Sequence, residues 1–354
     1  MASQVLDSAL GANDPRWDGA SRGHYEVWYL TLSDPATGRG FWFRYTLEVP
    51  KDAARAPVAE LWGFVFTPGR PAIGGKATAP VLWPPDGTMS IRLESTSGVL
   101  EEGNARGELP EVGLAWDLTW DPSPSAMWHI PGRIGRSKIP STRVVSPTVN
   151  AVFRGSVSIG DETITLEGAR GCQTHLWGRQ HAARWAWGHC SAFRPDRPDR
   201  PDGADGADDD SGVRDDVLVE AVWAVPLLAP GRAAPGGPTF LYAEVGGESF
   251  ACNALPWVAA ARSRVEGHRW ELRGRTADAR VRAVLEATPA EMAQVTYEDP
   301  DGAHAWCANS EIARAVLEID RGPRGGGVER FTSEGLAHVE FGARAPDPEV
   351  PVLC

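Results

Sequence analysis

The sequence predicts an all-β protein built from two consecutive antiparallel β-domains. Three observations carry that reading. Short runs rich in aromatic and β-branched residues recur along the chain, which is what a pleated, half-buried surface selects. Glycine (39) and proline (29) punctuate those runs, while helical periodicity is poor almost everywhere. Finally, 354 residues exceed what one barrel or sandwich commonly uses, so two domains are expected, 1–180 and 181–354.

Taken in order, "HYEVWYLTL" (24–32) and "FWFRYTLEV" (41–49) are the first strands. At strand period, Glu26 shares a face with Trp28, Leu30 and Leu32, and Arg44 shares one with Trp42. A carboxylate and a guanidinium on apolar faces are costly unless paired, so a Glu26–Arg44 ion pair across neighbouring strands is expected. "AVFRGSVSI" (151–159) and "ETITLEG" (162–168) follow, joined by a tight hairpin turn in "SIGDET" (158–163).

The stretch "GCQTHLWGRQHAARWAWGHC" (171–190) holds three of the eight histidines and three of the fifteen tryptophans. A helix would align Trp177, His181, Trp185 and His189 but would bury two interior glycines, each costing about 1 kcal/mol. Two strands fit better. His175 and Trp177 then share one face. After a turn through "GRQHAA", Trp185, Trp187 and His189 share another, with Ala186, Gly188 and Cys190 behind them. Large residues on one side and small ones on the other suit a strand that lines a cavity. A Trp-rich core with hydrogen-bonded histidines is the plainer alternative. The spacings His-x5-His and His-x7-His match no common zinc motif, so no metal and no cofactor are expected.

Beyond this stretch, "RPDRPDRPDGADGADDD" opens an acidic segment (194–214) expected to be a flexible loop. "VLVEAVWAV" (217–225) is the next strand and brings Glu220 and Trp223. "VAAARSRVE" (258–266) is the best short helix candidate, "SEIARAVLEI" (310–319) is ambiguous, and "AHVEFGA" (337–343) is a strand.

Composition removes several function classes. Acids outnumber bases by 47 to 35, for a net charge of −12, and there is no basic stripe, which argues against nucleic acid as a partner. No run approaches the roughly 20 apolar residues that span a bilayer. The opening "MASQVLDSALGANDP" lacks a basic and a long apolar region, and the five cysteines include no CxxC pair. Cytoplasmic residence is the expectation.

The runs "GHYEVWYLTLSDPATGRGFWFRYTLEVP" (23–50) and "GARGCQTHLWG…RWAWGHC" (168–190) resemble the carotenoid 1,2-hydratase (hydroxyneurosporene synthase) superfamily, which also takes in AttH proteins and, more distantly, tocopherol cyclase. The resemblance implies two lipocalin-like β-barrel domains and a hydrophobic substrate, often isoprenoid or polyketide. It also implies hydration or intramolecular cyclisation as reaction types. The family's His-x-Trp, implicated in catalysis, falls on His175 and Trp177. Its Tyr-x-Asp strand corresponds to "VLVEAVWAV", which offers Glu220 and Trp223 instead, and Gln173 and Thr174 stand where an acid usually precedes the histidine. These departures remove acids.

The expected function is therefore proton-transfer hydration, cyclisation or isomerisation of an alkene-bearing hydrophobic substrate. His175, Trp177 and Glu220 are the catalytic candidates, and Trp28, Trp185, Trp187, His189 and Trp223 would form the binding wall. Tryptophan faces stabilise a developing cation by roughly 0.5–2 kcal/mol each. A non-catalytic carrier of a lipid or pigment remains the alternative, and a purely structural core a third. Transient contact with a membrane to collect such a substrate is a further expectation.

Overall fold

A computed structural model of the chain describes residues 6–81, 90–93, 97–130, 141–195, 212–229, 231–254, 256–322 and 325–354. Most of the acidic segment expected as a loop (196–211) lies outside the described residues. Among those described there is no α-helix, only strands and three short 3-10 turns, and no helix long and apolar enough to cross a membrane.

Two large antiparallel sheets carry the chain. Twelve strands between Leu6 and Gly178 form the first, and eleven between Arg184 and Ala343 form the second. In the first, Ile73–Pro80, Val58–Phe66, Gly40–Val49, His24–Ser33, Glu162–Gly178, Thr142–Ile159 and Leu114–Thr119 are neighbours in that order. The sheet curls around its own core. Phe43 stacks on Trp116 from four strands away, with ring centroids 4.3 Å apart, and Trp116 Nε1 donates to Tyr45 Oη at 3.0 Å. The second sheet curls likewise: Thr239 Oγ1 reaches Ser263 Oγ, on a strand at the far end of the order, at 2.8 Å.

The outer face of the first sheet packs on the second. Tyr25, Val27, Tyr29, Trp42, Trp62 and Phe64 form one apolar cluster with Trp187, Val295, Tyr297 and Cys307. His24–Ser33 and Gly40–Val49 are therefore buried on both faces, which is why their sequences run apolar without alternating. Glu162–Gly178 shows the transition. It alternates buried and exposed up to Glu167, then is buried almost continuously from Gly171, where the second sheet covers it. At the closest approach Gly40 faces the Glu311 backbone, and a Cβ there would collide with its carbonyl oxygen.

The predicted hairpin turn is present, with Ile159 paired to Glu162 and Gly160 at φ +56°. The predicted helix over 258–266 is not. Trp257–Ala259 makes one 3-10 turn, and Arg262–Glu266 is a strand at the sheet edge, because alternation of Ser263 and Val265 with charged residues suits a half-covered edge. The ambiguous 310–319 run belongs to the long strand His304–Asp320.

Register overturns the expected Glu26–Arg44 ion pair. Glu26 lies opposite Leu47, while Arg44 lies opposite Tyr29. Odd and even positions face opposite ways, so the two side chains leave the sheet on opposite faces. Arg44 enters the interface between the sheets, its guanidinium 4.1 Å from the Tyr297 ring centroid and 5.1 Å from that of Trp62. Burial raises the Glu340 carboxyl in the same interface, while the Arg44 charge pulls it down.

Candidate active site

Strand parity builds two different sites from the stretch 171–190. On Glu162–Gly178, Gln173, His175 and Trp177 point to the inside of the first sheet, while Cys172 and Thr174 face the second. His175 lies opposite Trp28 and Trp177 opposite Glu26, so these four share the inner face. Trp28 lies flat on the His175 ring, centroids 4.6 Å apart and planes within 9°.

Glu26 is the hub. Its Oε1 accepts from His175 Nε2 at 2.8 Å and from the Arg16 backbone N–H at 2.7 Å. Its Oε2 accepts from His24 Nε2 and the Trp17 backbone N–H, both at 3.0 Å. Burial alone would raise this carboxyl, but the hydrogen bonds and charges of His175 and His24 outweigh it and hold it down to about 2. It is a carboxylate, and every contact it makes is one it accepts.

That settles the protons around it. His175 Nδ1 faces the Ala12 carbonyl oxygen at 2.8 Å and Nε2 faces the carboxylate, so both ring nitrogens must donate and the ring is an imidazolium. His175 and Glu26 thus form a fully buried, charge-balanced pair beneath the segment 12–17. His24 differs. Its Nε2–H is spent on Glu26, its Nδ1 has no hydrogen-bond partner among the described residues, and its side chain is 16% exposed.

A cleft of about 840 Å³ opens over this group, lined by Arg16, His24, Trp128, Arg143, Trp177 and Arg179. Asp7 and Asp14 are the acids in the same lining, and Leu10, 94% exposed, adds an apolar face. Trp177 meets Trp128 edge to face at 6.2 Å and carries the Arg16 guanidinium at 5.0 Å. Burial lowers the Arg143 pKa, and the neighbouring Arg179 charge lowers it further.

The second site lies between the sheets. Trp185, Trp187 and His189 leave Arg184–Cys190 on the face opposite to Ala186 and Cys190, as expected, but that face looks at the first sheet rather than into a cavity. Glu220 Oε1 accepts from Trp187 Nε1 at 2.9 Å and from His129 Nε2 at 3.1 Å, and Oε2 from His189 Nδ1 at 2.9 Å. Here too burial is outweighed by two histidines, and the carboxyl is held at about 2. His338 stacks on His189 at 5.4 Å and donates from Nε2 to Ser33 Oγ at 2.8 Å, since that hydroxyl is itself spent on the Glu311 carbonyl.

The expected single pocket is therefore divided. His175, Trp177 and Trp28 come together; Trp185, Trp187, His189 and Glu220 lie on the other side of the first sheet. Trp223 is in neither place, because it alternates with Val222 and packs against the core inside the second sheet, under Arg184 at 5.7 Å. His175 itself does not face a cavity: it is 0% exposed and both nitrogens are satisfied.

Sequence reasoning missed His24, Trp128, His129 and Arg16. A signal existed for His24, which stands two residues before Glu26 and so on the same strand face. None existed for His129, which reaches Glu220 across a sequence separation of 91 through folding of the two sheets.

The Cys172, His189 and Glu220 ligand atoms lie within 4.8 Å of one another, as do those of His268, Asp347 and Glu349. In the first group burial pushes the thiol well above its usual range, and Glu220 is already saturated with donors. A metal there would have to compete with three other donors to Glu220: Trp187, His129 and, at 3.4 Å, Ser146 Oγ. The second group is a partly exposed ion pair, His268 Nε2 to Asp347 at 3.0 Å.

No family model matches the chain. The uncharacterized protein Rv0493c of Mycobacterium tuberculosis is 29% identical over 343 residues, covering 96% of this chain and 92% of that one. Among solved structures, CghA with Sch210972 superposes with a TM-score of 0.61 at 10% identity, over 91% of this chain and 88% of that one. An AttH-type protein of Nitrosomonas europaea gives 0.52 at 14% identity, over 93% and 96%. Kievitone hydratase of Nectria haematococca gives 0.51 at 10% identity, over 95% and 92%. At these identities the likeness is one of fold, and at that level it bears out the resemblance read in the sequence.

Proposed function

We propose that this chain is an enzyme of the hydratase, cyclase or isomerase kind, moving a proton on a hydrophobic unsaturated substrate in the cleft over Trp177. One observation carries the reading. A partly exposed histidine, His24, is held by a buried carboxylate whose charge is already balanced by a second, buried histidine. Glu26 orients His24 through Nε2, and Nδ1, which makes no hydrogen bond among the described residues, is the ring nitrogen placed to exchange a proton. The sharing of a fold with a hydratase adds support.

In hydration, His24 Nδ1 takes a proton from water as the oxygen adds to one alkene carbon, then returns it to the other. Water is added across the bond and the enzyme is regenerated. Glu26 and His175 position His24, and Trp128 and Trp177 give the apolar wall. Glu220 has no part in this step.

Incubation in D2O with kievitone and farnesal, followed by mass spectrometry, tests the proposal. Deuterium on carbon should appear with at least one probe and vanish in His24→Ala. Incorporation that survives that substitution, or none with either probe, would sink it.

A second reading, passive carriage of a lipid, has one observation of its own. A hollow of about 520 Å³ at Trp17, Pro57, Val58, Ala79 and Val81 is apolar and has no titratable group in its described lining. Carriage predicts a hydrophobic ligand there and no solvent exchange.

A further inference from the structure

We infer that the ligand of the cleft is an organic anion: an apolar, unsaturated body that ends in a carboxylate or an equally acidic enol. The inference rests on the cleft being the reaction site, and it adds what the substrate must carry.

The chain as a whole is strongly acidic, at −12. Yet among the described residues this cleft gathers three guanidiniums, Arg16, Arg143 and Arg179, and a histidine, against two aspartates, Asp7 and Asp14. Burial lowers the Arg143 pKa and the Arg179 charge lowers it further, so an anion bound in the cleft would gain from both guanidiniums. Guanidinium forks suit a carboxylate, which they hold through two parallel hydrogen bonds.

Apolar surface stands beside the charge. Trp128 and the exposed Leu10 line the same cleft and fit a hydrophobic body rather than a free ion. The charge also selects the chemistry. A carbocation next to three cations is disfavoured, whereas an enolate oxygen gains from them. Proton transfer at His24 next to a carbonyl or acid group fits this lining, and protonation of an isolated isoprenoid alkene does not.

The test uses two ligands with one polyene body, retinoic acid and retinol, titrated into the full chain by tryptophan quenching. Retinoic acid should bind about tenfold tighter, and its advantage should shrink as salt rises from about 0.05 to 0.5 M. Arg179→Gln and Arg143→Gln should each cut the preference several-fold and leave retinol binding unchanged. Equal affinities, no binding of either, or a preference indifferent to both arginines and salt would overturn the inference. Neither ligand need react. A kept acid preference without His24-dependent exchange would retire the catalytic reading alone, and exchange without acid preference would retire only this one.

Discussion

The Glu26 and Glu220 clusters are chemically alike and positioned to opposite effect. Each has a buried carboxylate between two histidines, held near 2 in spite of burial. Around Glu220, His129 and His189 are 2% and 0% exposed and a tryptophan N–H completes the shell. Around Glu26, one histidine is sealed and the other reaches a cleft. The composition of such a cluster therefore says little about its role. The difference lies in exposure: one network is sealed between two sheets, and the other leaves a histidine at the edge of a cleft.

The largest effect should come from breaking the sealed cluster. Glu220→Gln leaves His129 and His189 without their counter-charge inside the interface, and should cost about 3–5 kcal/mol in chemical denaturation. His24→Ala should cost under about 1 kcal/mol, since its ring sits at the surface of the network and Glu26 keeps three other donors. A His24 variant as unstable as the Glu220 variant would make both clusters structural.

Acid should attack the two clusters alike. Both carboxyls lie below their unfolded value of 4.5, so each adds stability that is present above that pH and lost as pH falls toward about 2. Denaturation midpoints should fall through that window, less steeply in Glu220→Gln. Glu311 behaves in the opposite sense. Burial holds its carboxyl well above 4.5, so its contribution is complete below that pH and is lost as pH rises toward its folded value. Glu311→Gln should flatten the decline on the alkaline side, and an unchanged slope would mean that the carboxyl is hydrated in solution.

What could be read from sequence follows from what periodicity encodes. Strand parity placed His175 with Trp177, and Trp185 with Trp187 and His189, because alternation is local. It could not say that the two faces look away from each other, since that depends on which side of the first sheet the second one covers. The same limit explains Arg44, an obvious orphan in the sequence whose partners, Tyr297 and Glu340, lie about 250 to 300 residues away in the other sheet. The cleft was the least readable feature. Its arginines come from three separate segments and form no motif.

The smallest effect is expected between the two faces of the first sheet. With Glu26 and Arg44 on opposite faces of the first sheet, a double-mutant cycle between Glu26→Gln and Arg44→Met should be additive within about 0.5 kcal/mol. Each single change acts on a different network: the first removes charge beneath the cleft, and the second removes a cation stacked between aromatic rings in the interface. A cycle between Arg44→Met and Tyr297→Leu should instead couple by about 0.5–2 kcal/mol, the range of a desolvated cation–π contact. Both cycles can be run on the same denaturation assay. If Glu26 couples to Arg44 as strongly as Tyr297 does, the two faces communicate through the sheet, and the division of the aromatic stretch into a cleft and an interface fails with it.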